Sequence, residues 1–335
     1  MRQVYIAMLA TLYVGCADSP DDKSKPRDQF GQDRVKGATP EAPVKTPFDG
    51  DRAMKYLKEL CEIGTRVSGS EGMAKQQELL VKHFEKYGAK VTKQPFEAKQ
   101  KSRAKAIGMT NLICQWHPER DRRIILCAHY DTRPKADEDN PENWSKPFLS
   151  ANDGTSGVAF LMEVAHHLKD LPTKIGVDII LFDGEEYIFE RGRFYGDGDD
   201  FFFGSEHFAR DYDKNRKKLP YTYEAAVLFD LFAAKDARLA VEGYSYSLAP
   251  KLVDELWKTA EKVGAKSFKY ERGFRRNPEV MDDHIALNRV AIPAVDIIDF
   301  DYADWHKISD TPDKCSEKQM TEVGSVILTW LQGRK

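Results

Sequence analysis

Four things are scarce or missing in this chain of 335 residues, and each closes off a class of fold or function. There is no surplus of positive charge: 51 Lys and Arg face 54 Asp and Glu, the formal net charge is −3 and the pI is near 6.3, so the balance gives nucleic acid no electrostatic hold. The short basic run Lys99, Lys101, Arg103, Lys105 reads as a solvated loop or hairpin edge. No apolar run is long enough to cross a bilayer as a helix. Cysteine is sparse, with five in the chain and none in a C-x-x-C pair, which argues against a thiolate metal site. Internal repeats are also missing.

What is present begins with a leader. One Arg, the apolar run from Val4 to Val14, and then Gly15-Cys16 read as a short secretory signal. Leu12, Val14, Gly15 and Cys16 are similar to a bacterial lipoprotein box, with Tyr13 where that motif usually carries Leu. The expectation is a signal peptide of lipoprotein type over 1–16, a disordered linker over 17–48 that is rich in Asp, Lys, Pro and Gln, and a catalytic domain over 49–335. Such a protein is exported to the periplasm or cell envelope and meets a membrane only through an N-terminal lipid. With Cys16 lipidated, Cys61, Cys114, Cys127 and Cys315 remain; Cys114 and Cys127 fall on two strands expected to be neighbours, and spacing leaves the connectivity open.

Periodicity predicts helices over Arg52 to Glu62, around Leu79 to Tyr87 with Gly88 as its stop, over Val158 to Leu168, over Leu252 to Val263, and over Met320 to Leu331. Val91 to Phe96, Met109 to Trp116 and Arg123 to His129 look like a meander; Val177 to Phe182, Ala225 to Leu228, Arg238 to Glu242 and Ala291 to Ile298 are further strands. The polar segment from Lys135 to Pro147 reads as a surface loop. Strands alternating with helices imply a single α/β domain with a mixed, mostly parallel central sheet flanked by helices. In such folds ligands gather beyond the carboxyl ends of the strands.

That rule gives the stretch VDIILFDGEE, residues 177–186, its importance. A buried-strand pattern opens into Asp183, Gly184, Glu185 and Glu186, and adjacent carboxylates stay ionised only with water, partners or a cation. Asp131, Asp230 and the loop bearing His306 fall on the same rim. Asp153, Glu186 and His306 would supply zinc with three protein ligands and leave a fourth position open, and Glu185 would be free to carry protons. Taken alone, each residue has an ordinary role: Asp153 a helix N-cap, Asp230 a strand-end charge, His306 a surface imidazole.

HYD at 129–131, ANDGTSG beginning at Ala151, DGEE at 183–186, FD at 229–230 and WH at 305–306 occur in an order that resembles the M28 zinc exopeptidase superfamily. DTRP at 131–134, Asp282-Asp283-His284 and IPAVDIIDFDYADWH ending at His306 resemble its glutaminyl cyclase branch. The resemblance spans roughly residues 50–333. It implies a zinc exopeptidase-like (phosphorylase/hydrolase-like) fold, with Asp153, Glu186 and His306 on zinc, Glu185 as acid/base, Asp230 and Asp283 as an acidic pair beside it, and Trp305 as a pocket wall. Where animal-type cyclases carry a second Trp, a gapless reading puts Arg191. The loop from Arg191 to Phe203, with Gly196 and Gly198, is either a lid or an aromatic packing element.

The implied reaction is cyclisation of a peptide's N-terminal glutamine to pyroglutamate with release of ammonia, using one Zn²⁺. The rival is a di-zinc aminopeptidase, in which His129 and Asp230 bind a second zinc, Asp153 bridges, and Glu185 activates water. Both act on a peptide with a free N-terminus. A third reading, a non-catalytic binding ectodomain, sits poorly with a full ligand set.

Overall fold

The computed structural model describes residues 48–192, 197–270 and 278–334. The leader with Cys16 and all of the expected linker except Phe48 lie outside the described residues, as does Gly196 of the aromatic loop. Phe48 itself is buried and packs on Phe160 with ring centroids 5.1 Å apart.

The first helix, α1 (Gly50–Glu62), starts where Asp49 caps the Arg52 amide at 2.9 Å. Ser70 caps α2 (Glu71–Lys86) in the same way, and Gly88, in the left-handed region at φ 89°, lets the chain turn into β1 (Lys90–Ala98). A hairpin whose exposed loop carries the basic run leads to β2 (Ile107–Trp116), and β3 (Arg122–His129) follows.

The expected meander breaks at this point. β3 does not pair with β2; β4 (Gly176–Phe182), reached through α3 (Thr155–Leu168), lies between them. It pairs antiparallel with β2 and parallel with β3, and a parallel neighbour needs a helical crossover that local sequence spacing does not reveal. Cys114 and Cys127 are therefore not on neighbouring strands. They face opposite sides of the sheet, and all four described cysteines are free and buried.

After α4 (Phe203–Asn215), β5 (Thr222–Phe229) joins β3 in parallel. A small sheet follows, β6 (Leu239–Ala240) with β7 (Phe268–Lys269), enclosing α5 (Gly243–Leu248) and α6 (Pro250–Val263). Then come α7 (His284–Arg289), β8 (Ala294–Ile297) parallel to β5, and the closing α8 (Glu317–Gln332). The main sheet runs β1-β2-β4-β3-β5-β8. Ile124, Leu126 and Ala128 of β3 face α1, α3 and α8, whereas Ile125 and Cys127 face α4 and α7. The result is the expected mixed α/β domain with helices on both faces, and no helix of the described residues is long and apolar enough to cross a membrane.

Candidate active site

The parallel core strands end level with one another, with His129 opposite Phe182 and Phe229 opposite Ile297. The residues just past those ends therefore share a rim. After β4 the chain turns through Gly184 at φ 74°, where a Cβ would stand 2.5 Å from Met109 Sδ. Asp183 is buried beneath this turn and accepts the Ser68 hydroxyl at 2.7 Å and the Thr110 amide at 2.8 Å. The Asp131 carboxylate accepts the amides of both Glu185 and Glu186 at 3.1 Å. So held, the two glutamates diverge: Glu186 Oε1 meets His306 Nε2 at 2.6 Å, and Glu185 Oε2 lies 3.9 Å from His129 Nδ1.

Asp153 is not the N-cap of α3. That position belongs to Gly154, at φ 67°, with no side-chain cap. Gly154 donates its amide to Asp230 Oδ1 at 2.9 Å, and a Cβ on it would stand 2.4 Å from the His129 ring. The Asp310 carboxylate accepts the amides of Asn152 at 2.9 Å and Asp153 at 3.2 Å and the Tyr302 hydroxyl at 2.7 Å. Through Asp310 the loop bearing Asp153 is tied to the loop bearing His306.

Asp153, Glu186 and His306 are all buried, with one donor atom from each lying within 4.8 Å of the others. Asp153 Oδ2 and Glu186 Oε2 are buried without a hydrogen-bond partner, an arrangement that is costly unless something else meets them. Two carboxylate oxygens and an imidazole suit zinc. His129, Asp153 and Asp230 form a second such group, and both ring nitrogens of His129 lack a directed hydrogen bond although Asp153 Oδ1 is 3.2 Å away.

Burial, with Glu186 beside it, pushes the Asp153 carboxyl well above its ordinary range. Burial acts on Glu186 as well, yet His306 and Arg133 bring it down to about 2. Glu185 goes the other way: burial first, then Glu186, Asp282 and Asp283, raise it well above the usual range against the pull of His129. Its side chain keeps 12% of its surface open, enough to reach a substrate. Burial above all pushes Asp283 up to about 7. A carboxyl whose hold on a proton is strengthened by burial, and which stays open to the pocket, is suited to accept a proton and hand it on.

The remaining expected residues also converge. Asp283 is fully buried and close enough to act on Glu185, Asp230 is buried with its Oδ1 3.4 Å from His129 Nε2, and half-buried Trp305 stacks on His306 with ring centroids 3.9 Å apart and touches Phe300 at 5.1 Å. Within the aromatic loop, Phe202 and Phe203 pin their amides to the carbonyls of Glu185 and Gly184 at 3.2 and 3.1 Å, so its described end packs against the strand tip. Sequence reasoning missed Asp296, Asp310 and Asp137, and it quoted Asp282 and Arg133 within motifs without giving either a role. For Asp296 there was a signal, a lone charge inside an apolar strand, whereas Asp137 sits in a segment that polarity marked only as surface loop. That loop does run over the surface, but its Glu138 amide bonds to the His306 carbonyl at 3.3 Å, so it also packs against the site.

The family model "Peptidase family M28" matches residues 111–331. Among solved structures, a glutaminyl cyclase from Fimbriiglobus ruber is 57% identical with a TM-score of 0.84, and the match covers 90% of this chain and all of that one. A leucine aminopeptidase precursor from Bacteroides thetaiotaomicron is 32% identical with a TM-score of 0.77, covering 88% of this chain and all of that one. A curated relative, the glutaminyl-peptide cyclotransferase of Drosophila melanogaster, is 23% identical over 222 residues; the match spans 61% of this chain and only 57% of that protein's length.

Proposed function

The chain belongs to peptidase family M28, and on that premise we propose that it is a zinc-dependent glutaminyl-peptide cyclotransferase, converting the N-terminal glutamine of a peptide to pyroglutamate with release of ammonia. Fold alone does not separate cyclase from peptidase, since the family hosts both. The observation that carries the cyclase reading is the likeness, over nine-tenths of the chain, to a glutaminyl cyclase.

The chemistry follows from the site's own groups. The α-amine attacks the γ-carboxamide carbon of the same residue, so the nucleophile arrives tethered and the reaction gains from a confined, oriented site. Glu185 takes the proton that the amine loses as the C–N bond forms and returns it to the departing nitrogen, so that ammonia leaves and the carboxyl ends as it began. Asp230 and Asp283 lie where they can hold the amine, and Asp283 can share the proton because its carboxyl titrates near neutrality. Trp305, beside His306, forms the wall on which the glutamine side chain rests. Asp153, Glu186 and His306 would hold a zinc ion, which would supply a Lewis acid for the carbonyl oxygen.

One observation favours a second reading. His129, Asp153 and Asp230 could hold another ion, which would suit an aminopeptidase in which Glu185 deprotonates water. Incubation of the zinc-loaded chain with a Gln-initiated peptide separates the two: ammonia with no freed amino acid supports the cyclase, and a freed N-terminal residue supports the peptidase. Metal analysis adds an independent count, one zinc per chain for the first and two for the second.

A further inference from the structure

Arg133, within the DTRP stretch, has no part in the reaction above, yet it is fully buried and its guanidinium keeps its charge. Three of its nitrogens are committed to two carboxylates. Nε and Nη2 grip Asp137 as a fork, at 2.9 Å to Oδ1 and 2.9 Å to Oδ2, and Nη1 reaches Glu186 Oε1 at 3.3 Å. Asp137 Oδ1 lies 3.2 Å from His306 Nδ1. A continuous path thus runs from Glu186 through Arg133 and Asp137 to His306, outside the metal group, and joins two of its three members.

Each contact has a directional consequence. Oε1 faces both Arg133 and, at 2.6 Å, His306 Nε2, and the oxygen of Glu186 left without a hydrogen bond is Oε2; when Nε2 turns to a metal, Arg133 is the contact that still holds Oε1. An imidazole that ligates through Nε2 must carry its proton on Nδ1 and give it to an acceptor. Two groups face Nδ1: Asp137, and Arg191 Nη2 at 2.8 Å. A guanidinium only donates, so Arg191 can pair with Nδ1 only while that nitrogen carries no proton; once Nε2 ligates and the proton sits on Nδ1, Asp137 is the acceptor of the two. Arg191 also steadies that acceptor, its Nε sitting 2.7 Å from Asp137 Oδ2.

We propose that Arg133 and Asp137 are positioning residues for the metal, Arg133 orienting Glu186 so that it offers Oε2, and Asp137 orienting His306 so that it offers Nε2. The inference rests on the reading of Asp153, Glu186 and His306 as the metal ligands. Partners that orient ligands in this way are worth about 10–100-fold in metal affinity.

The test uses the full chain, stripped of metal and titrated with zinc against a competing chelator. Asp137→Asn and Arg133→Lys should each weaken zinc binding by about 10–100-fold, and Lys fails despite its charge because it cannot span both carboxylates. The double variant should bind more weakly than either single one, but by less than the product of their separate effects, since the two residues steady different ligands while being bonded to each other. Melting temperature separates positioning from general support: Asp137→Asn should lower the melting temperature of the metal-free protein, because Arg133 loses its charged fork partner, and should also shrink the rise on adding zinc, which a merely structural residue would leave unchanged. Zinc affinity within about twofold of wild type in both variants overturns the proposal; should Arg133→Lys not fold, Asp137→Asn decides alone. His306→Ala guards the premise. If wild type binds zinc and His306→Ala does not, the ligand reading stands whatever the other variants do, whereas a wild type that binds no zinc overturns both.

Discussion

At the amino end of β4, Asp178 is fully buried beside Arg123, which contacts it through Nε at 3.0 Å and through Nη2. Tyr223 adds its hydroxyl at 2.5 Å and Gln115 its amide at 3.1 Å, and the spare donors of Arg123 go to the carbonyls of Trp116 and His117. None of these Asp178 or Arg123 atoms is left without a partner. At the carboxyl end of the same strand, Glu186 is also buried, but its Oε2 and the nearby Asp153 Oδ2 have no hydrogen-bond partner, the latter facing only His306 Nε2 at 3.5 Å. The two ends differ in completeness. A buried ion pair whose every group is met holds the sheet together, while a buried group of anions left partly unmet costs stability unless a cation completes it.

Variants at the two ends should therefore fail in different ways. The largest effect is expected at the carboxyl end. Glu185→Gln should cut turnover by about 10²–10⁴-fold while leaving zinc content and melting temperature near wild type; a rate near wild type would remove Glu185 from the mechanism. At the amino end, Arg123→Met should strand Asp178 and cost about 3–5 kcal/mol in denaturant unfolding, with the folded fraction turning over normally. Adding Asp178→Leu should recover much of that loss, and failure to recover would mean that the pair is more than a satisfied bridge.

Gly154→Ala tests how tightly the rim is built. The added Cβ meets the His129 ring in a backbone conformation that side chains resist, so stability should drop by about 1–3 kcal/mol and activity should fall with it. The smallest effect concerns pH. Burial holds the Asp310 carboxyl up at about 7, so it keeps a proton in the folded chain where the unfolded chain has lost it. Its contribution to stability is complete below its ordinary range near 4 and is lost as pH rises through about 7. Asp310→Asn should flatten the fall in stability across that window, as read by denaturant midpoints at successive pH values; an unchanged slope would place the titration elsewhere.

Much of this contrast was legible in the sequence. Strand-end carboxylates announced the rim because an apolar run that stops at Asp-Gly-Glu-Glu has little purpose as plain structure, and the helices followed their periodicity and caps. The insertion of β4 between β2 and β3 was hidden, because strand order is settled by long-range pairing. So was the supporting layer: Asp137 and Asp310 sit in polar loops where nothing local distinguishes a solvated carboxylate from one that orients a neighbour. Arg133 was visible within a motif, but its role depends on two carboxylates, one 4 and one 53 residues away.

The central claim is that the carboxyl-end anions are arranged to receive a cation, and melting tests it most directly. Wild type, Arg123→Met and Asp153→Asn would each be stripped of metal and then melted with and without one equivalent of zinc. Zinc should raise the melting temperature of the first two by a similar amount and of Asp153→Asn much less. No rise in wild type, or an equal rise in Asp153→Asn, would contradict the account.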